Sequence, residues 1–126
     1  MREELVKLLN NCYAPYSKFR VSTICVMKDG KLIGGVNVEN SSYGLSLCSE
    51  RVAIFKAISM GYKKGDFKEL HVMVDSDKLG PPCFGCRQVF SEFFEEDMKI
   101  YMYSNKEMTS KTVRELCPYP FTEDNL

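Results

Sequence analysis

Residues 48–61 read Cys48-Ser49-Glu50-Arg51-Val52-Ala53-Ile54-Phe55-Lys56-Ala57-Ile58-Ser59-Met60-Gly61. The stretch predicts a helix over 48–60 that Gly61 stops. Downstream, an apolar run predicts a strand over 69–75. Gly80-Pro81-Pro82 ends the next loop, and a helix follows over 83–95, with Pro82 at or just before its first turn. Residues 100–103 read as a strand and 112–116 as a short helix closed by Pro118. Upstream, Leu5, Leu8, Leu9 and Cys12 form one apolar stripe on a helix over 2–13, which Ala14-Pro15-Tyr16-Ser17 stops. Residues 19–27, rich in Val, Ile, Thr and Phe, predict a strand. Lys28-Asp29-Gly30 signals a hairpin turn, and a return strand runs over 31–39, where Gly34-Gly35 marks a bulge. Helix, hairpin, then alternating strand and helix argue for an α/β sandwich, a sheet with helices packed on it.

The chain has 126 residues, one domain's worth, so residues 1–126 are expected to form a single domain. Seventeen basic and seventeen acidic residues give no net charge. That disfavours binding to nucleic acid or a membrane surface. There are six Cys and one His. In a small secreted chain six Cys would suggest three disulfides. Met1-Arg2-Glu3-Glu4 leads into no signal-type apolar stretch, and no apolar run approaches the ~18 residues of a membrane span. A reducing, cytoplasmic setting is therefore expected, where Cys serves as core filler, metal ligand or nucleophile.

Cys83 and Cys86 lie three apart at a predicted helix start, about 60° apart around the axis, so both sulfurs can reach one point. The first turn's free N–H groups and dipole favour thiolate, the form that binds zinc. Cys48 sits at another predicted helix start, with Glu50 two residues on. Three protein ligands leave a fourth tetrahedral position open, the layout of a catalytic zinc site, whereas a structural site would want a fourth ligand. A neighbouring carboxylate supplies a proton carrier.

Cys48-x-Glu50 followed by Pro82-Cys83-x-x-Cys86 resembles the zinc deaminase signature, with Cys in place of the first His. That substitution is similar to the small homotetrameric cytidine deaminases. The resemblance spans nearly the whole chain. Tyr13-Ala14-Pro15-Tyr16-Ser17-x-Phe19 looks like the family's N-terminal loop, and Asn37-Val38-Glu39-Asn40 like its ribose-binding strand. Leu116-Cys117-Pro118-Tyr119-Pro120-Phe121 looks like its C-terminal segment. It implies a three-layer α/β/α sandwich on a mixed five-stranded sheet and one Zn²⁺ per subunit on Cys48, Cys83 and Cys86. The implied reaction is hydrolytic deamination of cytidine and deoxycytidine in pyrimidine salvage. Glu50 would move a water proton to N3 of the ring, hydroxide would attack C4, and Glu50 would carry a second proton to the leaving amine. The partner is then a small nucleoside, with no nucleic acid or membrane, in a homo-oligomer expected to be a tetramer.

Asn37 and Glu39 lie two apart on a predicted strand and so share a face, opposite Val36 and Val38. An amide beside a carboxylate suits sugar hydroxyls. The resemblance implies that the pair binds near the ribose 3′-hydroxyl, which would admit deoxycytidine. It further implies that the Ser49 N–H holds the pyrimidine O2 and the Pro81 carbonyl accepts from the 4-amino group. Phe19 and Phe121 would pack around base and sugar, Phe121 from a neighbouring subunit. Three thiolates and Zn²⁺ sum to −1, which makes water at the metal harder to ionise. Arg51 (i+3 from Cys48) and Arg87 (i+4 from Cys83) can share their ligands' helix faces, so both are expected to tune this charge. Replacing Arg51 with Gln is expected to raise the pKa in the pH–rate profile.

Several positions depart from the family's usual residues. Ser49 and Phe84 stand where smaller residues are common, and Ser22-Thr23-Ile24 where the family usually has Gly-Ala-Ala. Ser49 is a small change and Phe84 makes its own loop bulkier, while the larger side chains at 22–24 are expected to crowd the contact between helix and sheet. Cys12, Cys25 and Cys117 read as small hydrophobes, His71 as structural, and Glu92, Glu95, Glu96 and Asp97 as a solvated helix end. One rival reading is a blasticidin-type antibiotic deaminase, disfavoured by Asn37-x-Glu39 and Phe121. Another is a non-catalytic zinc module, disfavoured by Glu50 and by the balanced charge.

Overall fold

The structure, a computed structural model, describes residues 1–126. Four helices, α1 (Arg2–Leu9), α2 (Ser49–Ser59), α3 (Phe84–Phe93) and α4 (Val113–Leu116), accompany five strands. These are β1 (Val21–Met27), β2 (Leu32–Val36), β3 (Phe67–Val74), β4 (Lys99–Tyr103) and β5 (Met108–Thr112). The sheet order is β2-β1-β3-β4-β5. Only β3 and β4 run parallel, joined across α3; the other three pairs are antiparallel. Alternation along each strand divides the core. Cys25, Met27, Leu70, Val72, Ile100 and Met102 face Ala53, Ile54 and Ala57 of α2 and Cys86 and Phe90 of α3. Ile24, Met73 and Tyr103 face Leu5 and Leu9 of α1 on the other side. The result is the expected three-layer α/β/α sandwich on a mixed five-stranded sheet.

Element boundaries differ from the sequence reading for identifiable reasons. Helix α1 ends at Leu9, not residue 13, because Tyr13 pairs as an isolated bridge with Val38. The Tyr13 N–H donates to the Asn37 carbonyl (3.1 Å), and the Glu39 N–H donates to the Tyr13 carbonyl (2.8 Å). Strand β2 ends at Val36, since the chain beyond it turns to pair with Leu47 as well. Gly34-Gly35 makes no bulge: β1 and β2 stay in register from Ser22↔Val36 to Val26↔Leu32. Gly35 instead admits α2, for a Cβ there would lie 2.6 Å from the Ala53 nitrogen and 2.8 Å from the Ser49 carbonyl oxygen. The irregularity falls between Val26 and Met27, opposite β3. Strand β5 was absent from the residue-level reading, because Met108-Thr109-Ser110-Lys111-Thr112 at the sheet edge carries no apolar alternation. His71 is buried, stacked on Tyr101 and hydrogen-bonded to Tyr103 Oη (2.8 Å) and Glu69 Oε1 (3.0 Å), a structural residue as expected.

Candidate active site

The chain reaches α2 through the loop after β2 and reaches α3 through the loop after β3. Both helices begin one residue later than predicted, so Cys48 and Cys83 are their N-cap residues. Their extended backbone turns each sulfur toward the other helix start. Cys83 Sγ accepts from the Cys86 N–H (3.4 Å), which ties it to the first turn of α3. Cys48 Sγ and Cys83 Sγ lie 3.8 Å apart, and the sulfurs of Cys48, Cys83 and Cys86 all lie within 4.8 Å of one another. Two thiolates on tetrahedral zinc with bonds of about 2.3 Å sit about 3.8 Å apart, so this donor set and its spacing fit Zn²⁺. Cys86 is buried, Cys48 half-buried and Cys83 exposed, so the cluster closes against the core and opens outward.

Charge in the cluster is shared unevenly. Hydrogen bonding from Cys86 first, then from Arg51 and Cys83, holds Cys48 below the usual thiol range, while the same contact with Cys48, and then burial, push Cys86 up. Arg51 Nη2 donates to Cys48 Sγ at 3.4 Å, as its position on the helix predicts. The same pairing raises the Arg51 pKa. Arg51 Nε is buried and has no partner. Arg87, the other residue expected to tune this charge, makes its hydrogen bonds to backbone carbonyls rather than to a sulfur. It donates to the carbonyls of Pro82 (2.8 Å) and Leu116 (3.2 Å) and lies over the Phe84 ring at 4.5 Å. It braces the loop before α3 against the C-terminal segment.

Glu50, in the first turn of α2, is buried, and burial pushes its carboxyl pKa up. It lines a pocket of about 340 Å³ together with Cys48, Ser49, Arg51, Asn37, Glu39, Phe19 and Pro81. Nearly all the residues singled out for substrate contact thus converge there. Val21, Val72 and Val74, which the sequence reading did not single out, add apolar strand surface to the wall, and Leu47 and Ser46 add a loop side. Strand alternation could have found the three Val residues; nothing local marks Leu47. Phe121 lies elsewhere, in a separate cleft with Phe84 and Arg87.

The polar pair is engaged with the chain itself. Asn37 Oδ1 accepts from the Val21 N–H (3.0 Å), and Asn37 Nδ2 donates to the Phe19 carbonyl (2.7 Å). One amide proton and one lone pair remain. Glu39 Oε1 accepts from the N–H groups of Tyr16 (3.0 Å) and Ser17 (3.1 Å), and Oε2 from the Ser17 hydroxyl. The Ser17 hydroxyl leads in holding the Glu39 carboxyl below its ordinary value. Asn37 and Glu39 therefore fasten the 13–19 loop at the pocket mouth.

A family model described as the cytidine and deoxycytidylate deaminase zinc-binding region matches residues 1–103. A cytidine deaminase from Halalkalibacterium halodurans is 40% identical over 125 residues, covering 98% of this chain and 93% of that protein. One from Sporosarcina psychrophila is 39% identical over 124 residues, covering 98% and 90%. The crystal structure of cytidine deaminase from Burkholderia pseudomallei matches with a TM-score of 0.90 at 35% identity, covering 94% of each chain.

Proposed function

This chain belongs to the cytidine and deoxycytidylate deaminase family, and from that premise we propose that it hydrolyses cytidine to uridine and deoxycytidine to deoxyuridine, releasing ammonia. The observation that carries this reading is a buried carboxylate, Glu50, in one pocket wall with Cys48 of a three-sulfur cluster. Cys48, Cys83 and Cys86 would hold one Zn²⁺. The metal, when bound, makes water acidic enough to act as a nucleophile near neutral pH.

The chain's own residues do the rest. Glu50 accepts the attacking water's proton and delivers it to N3, which draws electrons from C4. It then carries the second proton to the departing amine, so water is consumed and ammonia leaves. Burial suits this exchange, because a carboxyl with a raised pKa both accepts and returns a proton at moderate pH. The Ser49 N–H, free at the first turn of α2, is assigned to the pyrimidine O2 and the Pro81 carbonyl to the 4-amino group. The remaining capacity of Asn37, with Glu39 beside it, is assigned to the ribose near its 3′-hydroxyl, and Phe19 to packing on the nucleoside. Arg51, on Cys48 Sγ, offsets the excess negative charge of three thiolates.

We take residues 1–126 as one catalytic domain, working in pyrimidine salvage in the cytoplasm. No helix is long and apolar enough to cross a membrane. The assembly proposed is a homotetramer in which Phe121 completes a neighbour's site. The deciding experiment is ammonia release by purified, zinc-replete protein from cytidine, deoxycytidine and blasticidin S. Release from both nucleosides is expected; release from blasticidin S alone, or from none, overturns the reading.

A further inference from the structure

Three buried side chains form a chain of hydrogen bonds that reaches Glu50 from the sheet. Ser49 Oγ lies 3.0 Å from Glu50 Oε1 and 2.7 Å from Thr23 Oγ1. Thr23 and Ser49 are fully buried and Glu50 nearly so. A hydroxyl has one proton to give. Facing a carboxylate, Ser49 gives that proton to Glu50, so it must accept from Thr23. The direction of the whole chain is thereby set: Thr23 to Ser49 to Glu50.

The backbone builds this contact. Thr23 is the register partner of Gly35 across β1 and β2. With no Cβ at Gly35, α2 descends until Ser49 and Ala53 meet the sheet. The neighbouring Thr23 side chain, on the same face as Cys25 and Met27, then meets Ser49 rather than another apolar group.

We propose that Thr23 and Ser49 are positioning residues that fix the plane of the Glu50 carboxylate for proton transfer. A Glu carboxylate turns freely about its last bond unless something holds it. Ser49 holds Oε1, which leaves Oε2 as the oxygen without a side-chain hydrogen bond. Thr23 holds the Ser49 hydroxyl in the rotamer that does this, and linked hydrogen bonds in a dry site strengthen one another. A proton carrier that must serve the water, the ring nitrogen and the amine in turn gains from having only one oxygen in play. This inference rests on Glu50 being the proton carrier.

The test is steady-state deamination of cytidine by zinc-quantified Ser49→Ala, Thr23→Val, Thr23→Ser and the Thr23→Val/Ser49→Ala double variant. We expect Ser49→Ala to lower kcat about tenfold with KM within about twofold, the scale of one hydrogen bond lost in the transition state. Thr23→Val, which keeps the shape and loses the hydroxyl, should lower kcat about threefold on the same scale. Thr23→Ser, which loses only the methyl, should restore most of it. The double variant should match Ser49→Ala, because Thr23 acts only through Ser49. Multiplying losses, an active Thr23→Val beside an impaired Thr23→Ser, or an unchanged kcat in Ser49→Ala would each overturn the proposal. Glu50→Gln, measured alongside, separates the two readings: if it stays active, the assignment of Glu50 itself fails.

Discussion

Replacing Glu50 with Gln keeps the size and burial of the side chain and removes its ability to carry a proton. General acid–base groups typically contribute about 10²–10⁴-fold. Glu50→Gln should therefore retain its zinc, measured by metal analysis, while kcat for cytidine falls by about that factor. Arg51 makes a different prediction. Its guanidinium donates to Cys48 Sγ, the contact behind its proposed role in offsetting the charge of the metal cluster. Groups that support metal ligands typically change affinity by about 10–100-fold, and Arg51→Gln should lose zinc to a competing chelator at correspondingly lower chelator concentration. Unchanged zinc retention would remove Arg51 from that role. At this scale the ligands were legible because Cys48, Cys83 and Cys86 are set by local spacing at two helix starts. For Arg87, position on a helix face says which groups the side chain can reach, not which it takes. Its carbonyl partners, Pro82 and Leu116, are a tertiary fact. In the sequence Thr23 reads as crowding between helix and sheet, and the Ser49 side chain as a small change. Their hydroxyls find each other only through the register of β1 on β2 and the depth to which α2 descends.

Helix α2 carries Cys48, Ser49, Glu50 and Arg51 as one rigid piece, so its seat on the sheet sets the site. Gly35→Ala would drive a methyl into helix backbone, which cannot swing aside as a side chain can. Overpacking of this kind costs about 1–3 kcal/mol. The variant should show a lower urea midpoint and, because the helix start moves, a reduced kcat with zinc bound. A stable, fully active variant would mean the contact is slack. Helix α4 offers a pH-dependent test. The Thr112 hydroxyl accepts from the Glu115 N–H while the Glu115 carboxylate accepts from the Thr112 N–H, a capping box. The Thr112 N–H leads in holding the Glu115 carboxyl below its ordinary value. A lowered folded pKa means stability that is present above the unfolded value and lost as pH falls through the folded one. Glu115→Gln should therefore lower the urea midpoint at pH 7 and converge on the parent protein below the folded pKa; a gap that persists in acid would contradict this. Elements with apolar periodicity or turn chemistry, such as the Leu5, Leu8 and Leu9 stripe of α1, the Gly61 stop of α2 and the 28–30 turn, were legible. Strand β5 was not, since an edge strand of polar residues is defined by its partner β4.

The six Cys are all free thiols, which divides them into three that meet at one point and three packed elsewhere. At the scale of the whole molecule the sandwich and its pocket belong to one chain, but the proposed site does not. The Phe121 backbone is fastened to α3 by Gln88 Nε2 donating to its carbonyl (3.0 Å), while the side chain stays 57% exposed. Phe84 and Tyr119 beside it are 75% and 103% exposed, an aromatic surface that a monomer would gain by covering. A ring held outside its own pocket is free to serve a neighbour's, as the proposed tetramer requires. That arrangement, invisible to spacing and to a single chain alike, makes a sharp demand on mixed assemblies. Phe121→Ala alone should lose most of its kcat/KM for cytidine, and Glu50→Gln alone nearly all. When the two variants are produced together in equal amounts, half the sites have Glu50, and half of those receive an intact Phe121 from a Glu50→Gln neighbour. Activity should then rise to about one quarter of the parent value in a closed symmetric assembly with one such contact per site. If Phe121 serves its own chain, or merely anchors the C-terminal segment, no site regains both groups. The mixture would then show only the average of the two variants.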